Sequence, residues 1–279
     1  MLERSTFRAG HRFDEWELPM VGGARHAEVL EAVAEYGVAI VSGVAASESG
    51  TEEVVDLFGV ARESDVGHLR ELVDDDGLAM DPQTTEPYRY MPPGIMVLHC
   101  VDANSTGGDI VLVDGFAIAA HLQDDDPDAF DALTQLQLPF QGPVGSNDAA
   151  HTGDYRAVAP VISLDRDYEV CGVRFSEDAL APLDLDAARL EECYRALITF
   201  TQAANDPGRS VMVTLKPGQS LVFDNQRVLH GCTGFIASGG RRHMRLATVD
   251  RDDFHSKLRE LRAVHRPDLV GHRVPRGCV

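Results

Sequence analysis

The 279-residue chain carries 45 Asp and Glu against 25 Lys and Arg, a formal net charge of -20, with 44% hydrophobic and 25% charged residues. That composition is ordinary for one large globular domain, but the acidity argues against nucleic acid and anionic membrane surfaces, which need basic patches. Five cysteines (Cys100, Cys171, Cys193, Cys232, Cys278) are odd in number and make no CxxC, so reduced thiols are expected. No run of about 18 apolar residues marks a membrane span. The opening MLERSTFRAGHRFDEWELP has no apolar core of a secretory signal, so a cytoplasmic location is expected.

The stretch ARHAEVLEAVAEY, ending at Tyr36, spaces Val29, Leu30, Val33 and Tyr36 as one helical face, with Gly37 as its C′ residue. GVAIVSGV then reads as a buried strand, and 65–86 as acidic and irregular, with a turn at Asp74-Asp75-Asp76-Gly77. GIMVLHCV and DIVLVDGF are strands joined by DANSTGG; 116–135 is helical, and 155–175 extended. The clearest helix spans 186–205, where Leu190, Cys193, Tyr194, Leu197, Ile198 and Thr201 form an apolar stripe. VMVTL, the turn Lys216-Pro217-Gly218 and SLVFD are expected to form a hairpin, before a loop, a strand and a short helix. Many short strands with grouped helices predict a sheet-based α+β domain, a barrel or sandwich.

His230, in SLVFDNQRVLHGCTGF, stands at a strand end before a glycine and can project into a barrel mouth. A non-haem iron centre would pair such a histidine with a distant His-x-Asp or His-x-Glu, because residues i and i+2 of a strand point the same way. Of the eleven histidines only His26, in His26-Ala27-Glu28, has a carboxylate two residues on, and it lies on a predicted helix where the two do not share a face. His151-Thr152-Gly153-Asp154 has the wrong spacing. His99 and Cys100, mid-strand among aliphatics, are expected to be core, as is Trp16; His265 and His272 fall in the tail.

WELP, GVARES, PYRYMPPGIMVLHC, TGGDIVLVDGF, APVISLD, VRF, APLDL, PGQSLVFDNQRVLHG and RRHMRLATVDRD follow one another in an order that resembles a known family. It is the γ-butyrobetaine hydroxylase and trimethyllysine hydroxylase branch of the taurine dioxygenase-like superfamily. The likeness runs from about Trp16 to Leu261 and leaves 262–279 as a tail of a single domain over 1–279. It implies a mainly β, α+β fold: a double-stranded β-helix (jelly-roll) core with flanking helices. It also implies Fe(II) and 2-oxoglutarate as cofactors, a small amino-acid-like or trimethylammonium substrate, and a homodimer.

On that resemblance His230 is the distal iron histidine, and Arg242 is the guanidinium that clamps the far carboxylate of 2-oxoglutarate. Arg241 and Arg245 are neighbours able to take that role, and His243 is placed to position Arg242. The family's His-x-Asp is matched by Gln83-Thr84-Thr85, and Ile110, Ser176, Glu177 and Cys232 also depart from its pattern. Three expectations follow. A rebuilt metal site would bring Glu86 or Asp81 to His230. A metal-free lyase- or isomerase-type enzyme would use His230, Glu86, Tyr88, His99 and Arg242 as acid–base and anion-holding groups. A non-catalytic partner of an active paralogue would fill the pocket with Ile110 and Met80.

Overall fold

The structure, a computed structural model, describes residues 5–17, 24–63, 68–74, 76–104, 106–142, 153–236 and 242–269. β1 (Glu15–Glu17) runs parallel to β2 (Val38–Ser42), with α1 (Ala24–Tyr36) between them in sequence. α1 stops at Gly37, whose φ of 78° suits a residue without Cβ and whose N–H donates to Val33 O. α2 (Glu48–Phe58) is capped by Ser47, whose hydroxyl accepts from Gly50 N. Three short strands follow where the sequence reads as irregular: β3 (Arg70–Asp74), β4 (Asp76–Gly77) and β5 (Met80–Gln83).

β6 (Ile95–Ala103) and β8 (Ile110–Asp114) match the expected strands, whereas β7 (Thr106–Gly107) forms within the stretch DANSTGG expected as a loop. The single helix expected over 116–135 is two, α3 (Gly115–Asp125) and α4 (Pro127–Gln135). Asp126 ends the first and caps the second, and Pro127 has no N–H to continue α3. Then come β9 (Leu138–Gln141), β10 (Arg156–Ala159), β11 (Ile162–Leu164), β12 (Val170–Val173) and α5 (Ala187–Ala204). The buried stripe of α5 runs through Cys193, Ala196, Leu197, Phe200 and Ala204; Tyr194 and Ile198, expected on it, are exposed. The chain continues with β13 (Ser210–Val213), β14 (Ser220–Asp224), β15 (Val228–Cys232), β16 (Phe235–Ile236), β17 (Arg242–Val249) and α6 (Arg251–His265).

Six strands in the order β1-β2-β14-β6-β17-β3 form the major sheet, and β13-β8-β15-β5 the minor one. β13 and β14 are therefore not a hairpin. β13 pairs with β8 and β14 with β2 and β6, so the turn at Gly218, whose N–H donates to Cys100 O, carries the chain from one sheet to the other. Period-2 alternation sorts the side chains into layers. Met96, Leu98, Leu221, Phe223 and Met244 of the major sheet meet Ile110, Leu112 and Val228 of the minor sheet. Ile95, Val97, Val222, Ala247 and Val249 face outward onto α1, α2 and α6, while Val113 and Leu229 face outward onto the α3–α5 layer. These are the two packed sheets of a jelly roll with helices on both outer faces. Cys100, Cys193 and Cys232 are free thiols, but Cys171 is disulfide-bonded, against the expectation of reduced thiols throughout.

One buried ion pair joins the layers. Arg227, 2% exposed, donates to Asp114 through Nε (3.2 Å) and Nη2 (2.9 Å), and its remaining N–H groups reach Glu35 O (2.6 Å) and Ser5 O (2.7 Å). Asp114 also accepts from Phe7 N (3.1 Å) and Phe116 N (3.0 Å), capping α3. Asp114→Ala is expected to destabilise the fold by about 3–5 kcal/mol, because the guanidinium is left buried without its counter-charge. The readout is the urea midpoint at unchanged m-value; a loss below about 1 kcal/mol would show that the pair does not organise the core.

Candidate functional site between the sheets

β15 carries His230 opposite Leu112 of β8 on one side and Gln83 of β5 on the other. Val228 packs between the sheets and Leu229 against the helices, so alternation turns His230 inward. Its ring lies 4.9 Å from that of Phe223, on the opposite sheet. The glycine after it is required by crowding: a Cβ on Gly231 would stand 2.3 Å from Met80 O and 2.9 Å from the Asp81 carbonyl carbon. β5 can lie this close to β15 only across a glycine.

Beyond β5 the chain is anchored by neutral hydrogen bonds. Thr84, 1% exposed, exchanges backbone and hydroxyl bonds with Phe175 and Val173. Asn225, fully buried in the turn between β14 and β15, accepts from Thr85 N (2.8 Å) and donates to Thr85 O (3.1 Å) and Pro93 O (3.0 Å). That brackets Thr85 and brings its hydroxyl to 3.4 Å from His230 Nε2, the outer limit of a hydrogen bond. His230 Nδ1 is buried with no hydrogen-bond partner among the described residues. Burial pushes the His230 pKa down to about 4, partly offset by the Gln83 backbone, so the ring is neutral at pH 7.

Gln83, as the register partner of His230, projects from the same face of the minor sheet. Its Oε1 accepts from Ser176 Oγ at 2.5 Å, and Ser176 is 2% exposed. Across the gap, Arg242 shares the inner face of β17 with Met244 and Leu246. It is 8% exposed, its guanidinium carbon is 5.1 Å from the Phe235 ring centroid, and it makes no ion pair with any described residue. A Cβ on Gly108 would come within 3.1 Å of its Nε.

The other expected residues lie elsewhere or are already engaged. The Glu86 carboxylate accepts from Arg89 Nε at 2.8 Å, on a backbone with φ of 50°, and Arg89 stacks 3.7 Å over Tyr155. Asp81 is exposed, and neither carboxylate pairs with His230. Tyr88 is packed in the helical layer. His99 is a satisfied core residue, as expected: Nε2 donates to Ala45 O (3.0 Å), leaving Nδ1 to accept from Ser220 (2.7 Å). His243 does not position Arg242, since alternation turns it to the outer face, where it and Arg245 bind Glu71. His26 bonds Leu57 O, Glu177 accepts from Thr201, and Ile110 is inter-sheet core. Arg241 and His151 are outside the described residues. A cleft of about 310 Å³ between the N-terminal segment and α3, lined by Phe7, Arg8, His121 and Arg209, involves none of these.

Sequence reasoning passed over Asn225 and Arg174. The latter ties the 84–92 loop through Pro87 O (3.0 Å), Arg89 O (3.1 Å) and Tyr90 O (3.3 Å). Polar residues wedged between two mostly apolar strands, as in FDNQR, were the available signal.

Gln83, Thr85 and His230 thus converge, but as a donor set for Fe(II) they do not fit. They offer one imidazole, one hydroxyl and one carboxamide whose oxygen already accepts from Ser176, with no carboxylate. Among the described residues, the one group of three His, Cys, Asp or Glu side chains within reach of a common ion is Glu48 and Glu52 of α2 with His68, all exposed.

Comparison with known proteins agrees with this architecture. The profile of the family described as taurine catabolism dioxygenase TauD, TfdA matches residues 5–248. The gamma-butyrobetaine dioxygenase of Pseudomonas sp. (strain AK-1) is 34% identical over 239 residues, which cover 83% of this chain and 61% of that protein. The human gamma-butyrobetaine dioxygenase is 30% identical over 181 residues, 64% of this chain and 46% of its own. The chain therefore spans less than two thirds of the length of these relatives. Among solved structures, a taurine dioxygenase from Burkholderia xenovorans superposes with a TM-score of 0.66 at 13% identity, covering 88% of this chain and 92% of that one. The PvcB protein from Pseudomonas aeruginosa gives 0.61 at 17% identity, covering 85% and 83%. Two packed sheets, the inward His230 and a profile match over most of the chain lead to one conclusion: the chain belongs to the TauD/TfdA dioxygenase family.

Proposed function

We propose that the chain binds and transforms a small polar, carboxylate-bearing molecule between its two sheets, with no iron held at His230. Arg242 is the anion anchor: a buried guanidinium without an ion-pair partner among the described residues favours a ligand carboxylate. His230, neutral at pH 7, is the proton acceptor, with the Thr85 hydroxyl beside it. The relatives are named for gamma-butyrobetaine and trimethyllysine, and an amino-acid-like or trimethylammonium ligand is the class we carry over. A net charge of -20 suits such a cationic group. The observation that carries the proposal is the convergence of Gln83, Thr85 and His230 without a carboxylate. The polar character of that cluster favours a ligand site over a filled, inert one.

An anaerobic titration of the metal-free protein with Fe(II) and 2-oxoglutarate tests this directly. No saturable visible charge-transfer band and no iron by elemental analysis are expected. A saturable band that His230→Ala abolishes would overturn the proposal in favour of a rebuilt centre, with Glu86 released from Arg89, or Asp81, as the carboxylate. Arg242→Met is expected to weaken 2-oxoglutarate binding at least about ten-fold, measured by calorimetry, through loss of the charge-assisted pair. Equal affinity would remove Arg242 as the anchor.

The neutral His230, half-buried between the sheets, also sets a pH dependence. Its folded pKa is below the unfolded value, so as pH falls from about 6.5 the unfolded chain takes up the proton first. Stability therefore drops toward pH 4, by up to about 3 kcal/mol from His230. His26 and His99, also lowered chiefly by burial, act in the same direction. His230→Gln is expected to flatten part of the fall in chemical-denaturation free energies between pH 6.5 and 4. An unchanged slope would show that His230 is not held neutral.

A further inference from the structure

We propose that Ser176 fixes Gln83 as a hydrogen-bond donor, so that the position facing His230 takes a carbonyl or carboxylate oxygen of the ligand where a cation would otherwise be sought. This deepens the metal-free reading above and rests on it. The contact between Ser176 Oγ and the Gln83 carboxamide is 2.5 Å. That is an O–H···O length and too short for N–H···O, so the carboxamide oxygen faces the serine. Satisfaction gives the same orientation. Ser176 is 2% exposed and its hydroxyl has no other partner among the described residues; turning the amide over would leave its hydroxyl hydrogen buried without an acceptor there.

With its oxygen turned to Ser176, Gln83 directs Nε2 the other way, and Nε2 has no hydrogen-bond partner among the described residues. A carboxamide nitrogen has two N–H donors and no lone pair for a metal. Strand pairing puts it on the same face as His230, and Thr85, two residues on, adds a hydroxyl at 3.4 Å from the ring. Across the inter-sheet space Arg242 supplies the cationic counterpart. The result is a site polarised toward ligand oxygen: a neutral donor pair on the minor sheet and a guanidinium on the major one.

Two variants and two probes separate this from the broader proposal. Binding of 2-oxoglutarate to EDTA-treated protein is followed by calorimetry, and Mn(II) uptake, without 2-oxoglutarate, by loss of the free-ion EPR signal. Wild-type protein is expected to bind 2-oxoglutarate without metal and to leave the Mn(II) signal unchanged. Gln83→Glu replaces the donor with a like-charged acceptor; it should weaken 2-oxoglutarate at least ten-fold and begin to take up Mn(II). Ser176→Ala, a small truncation that frees the amide to turn, should weaken 2-oxoglutarate three-fold or more with no change in thermal midpoint large enough to signal unfolding. If metal-free wild type binds no 2-oxoglutarate, or if both folded variants bind it as wild type does, Gln83 is not the donor and the inference is overturned, while the absence of iron at His230 stands. If wild type takes up Mn(II) and binds 2-oxoglutarate only then, the metal-free reading itself falls.

Discussion

The Arg227–Asp114 pair is the constraint on which the rest of the architecture hangs. Each partner is almost fully removed from water, and together they take bonds from the N-terminal segment, the end of α1, the start of α3 and the turn before β15. Burying two charges is costly, and such a pair is weak evidence for net stability. Its use here is registration. Asp114 ends β8 and Arg227 precedes β15, so the pair holds those strands in the one alignment that turns Val228 and His230 inward and Leu229 outward. A slip of one residue would send the histidine into the helical layer.

A second frame hangs from the first. Asn225 and Gln226, adjoining Arg227, reach Thr85, Pro92 and Pro93, and Arg174 gathers the carbonyls of Pro87, Arg89 and Tyr90. Arg251 closes the far side through Asp224, Gln226 and the Cys171 carbonyl. The loop that follows β5 has little regular structure of its own, yet its carbonyls are counted out to specific donors. Position 85 is consequently as well determined as a position in a strand.

How much of this could be read beforehand follows from what sequence encodes locally. β6 and β14 were legible as strands because IMVLHCV and SLVFD are short, mostly apolar runs. Those same runs hid their faces: Met96 and Val97 are equally apolar yet lie in different layers. On α5 the expected stripe gave weight to Tyr194 and Ile198, whereas the contact surface uses Ala196 and Ala204, which carry little hydropathy signal but admit a close neighbour. The supposed hairpin failed because a glycine turn has the same local chemistry whether its strands pair or part into two sheets. Asp114 and Arg227 are 113 residues apart and invisible to any window. In the site, spacing alone gave His230 no partners. Only the family resemblance singled out Gln83 and Thr85, and the register of β5 against β15 then put Gln83 beside His230.

The close approach of β5 to Gly231 has a consequence for how this site can vary. β5 is held to β15 by main-chain pairing and by backbone packed over a glycine, and Thr85, two residues beyond it, by an asparagine that bonds only its main-chain atoms. Attachment is thus indifferent to the side chains at 83 and 85. Architecture and chemistry are decoupled at this edge of the sheet, so a handful of substitutions can exchange one kind of reactivity for another without the scaffold having to be rebuilt.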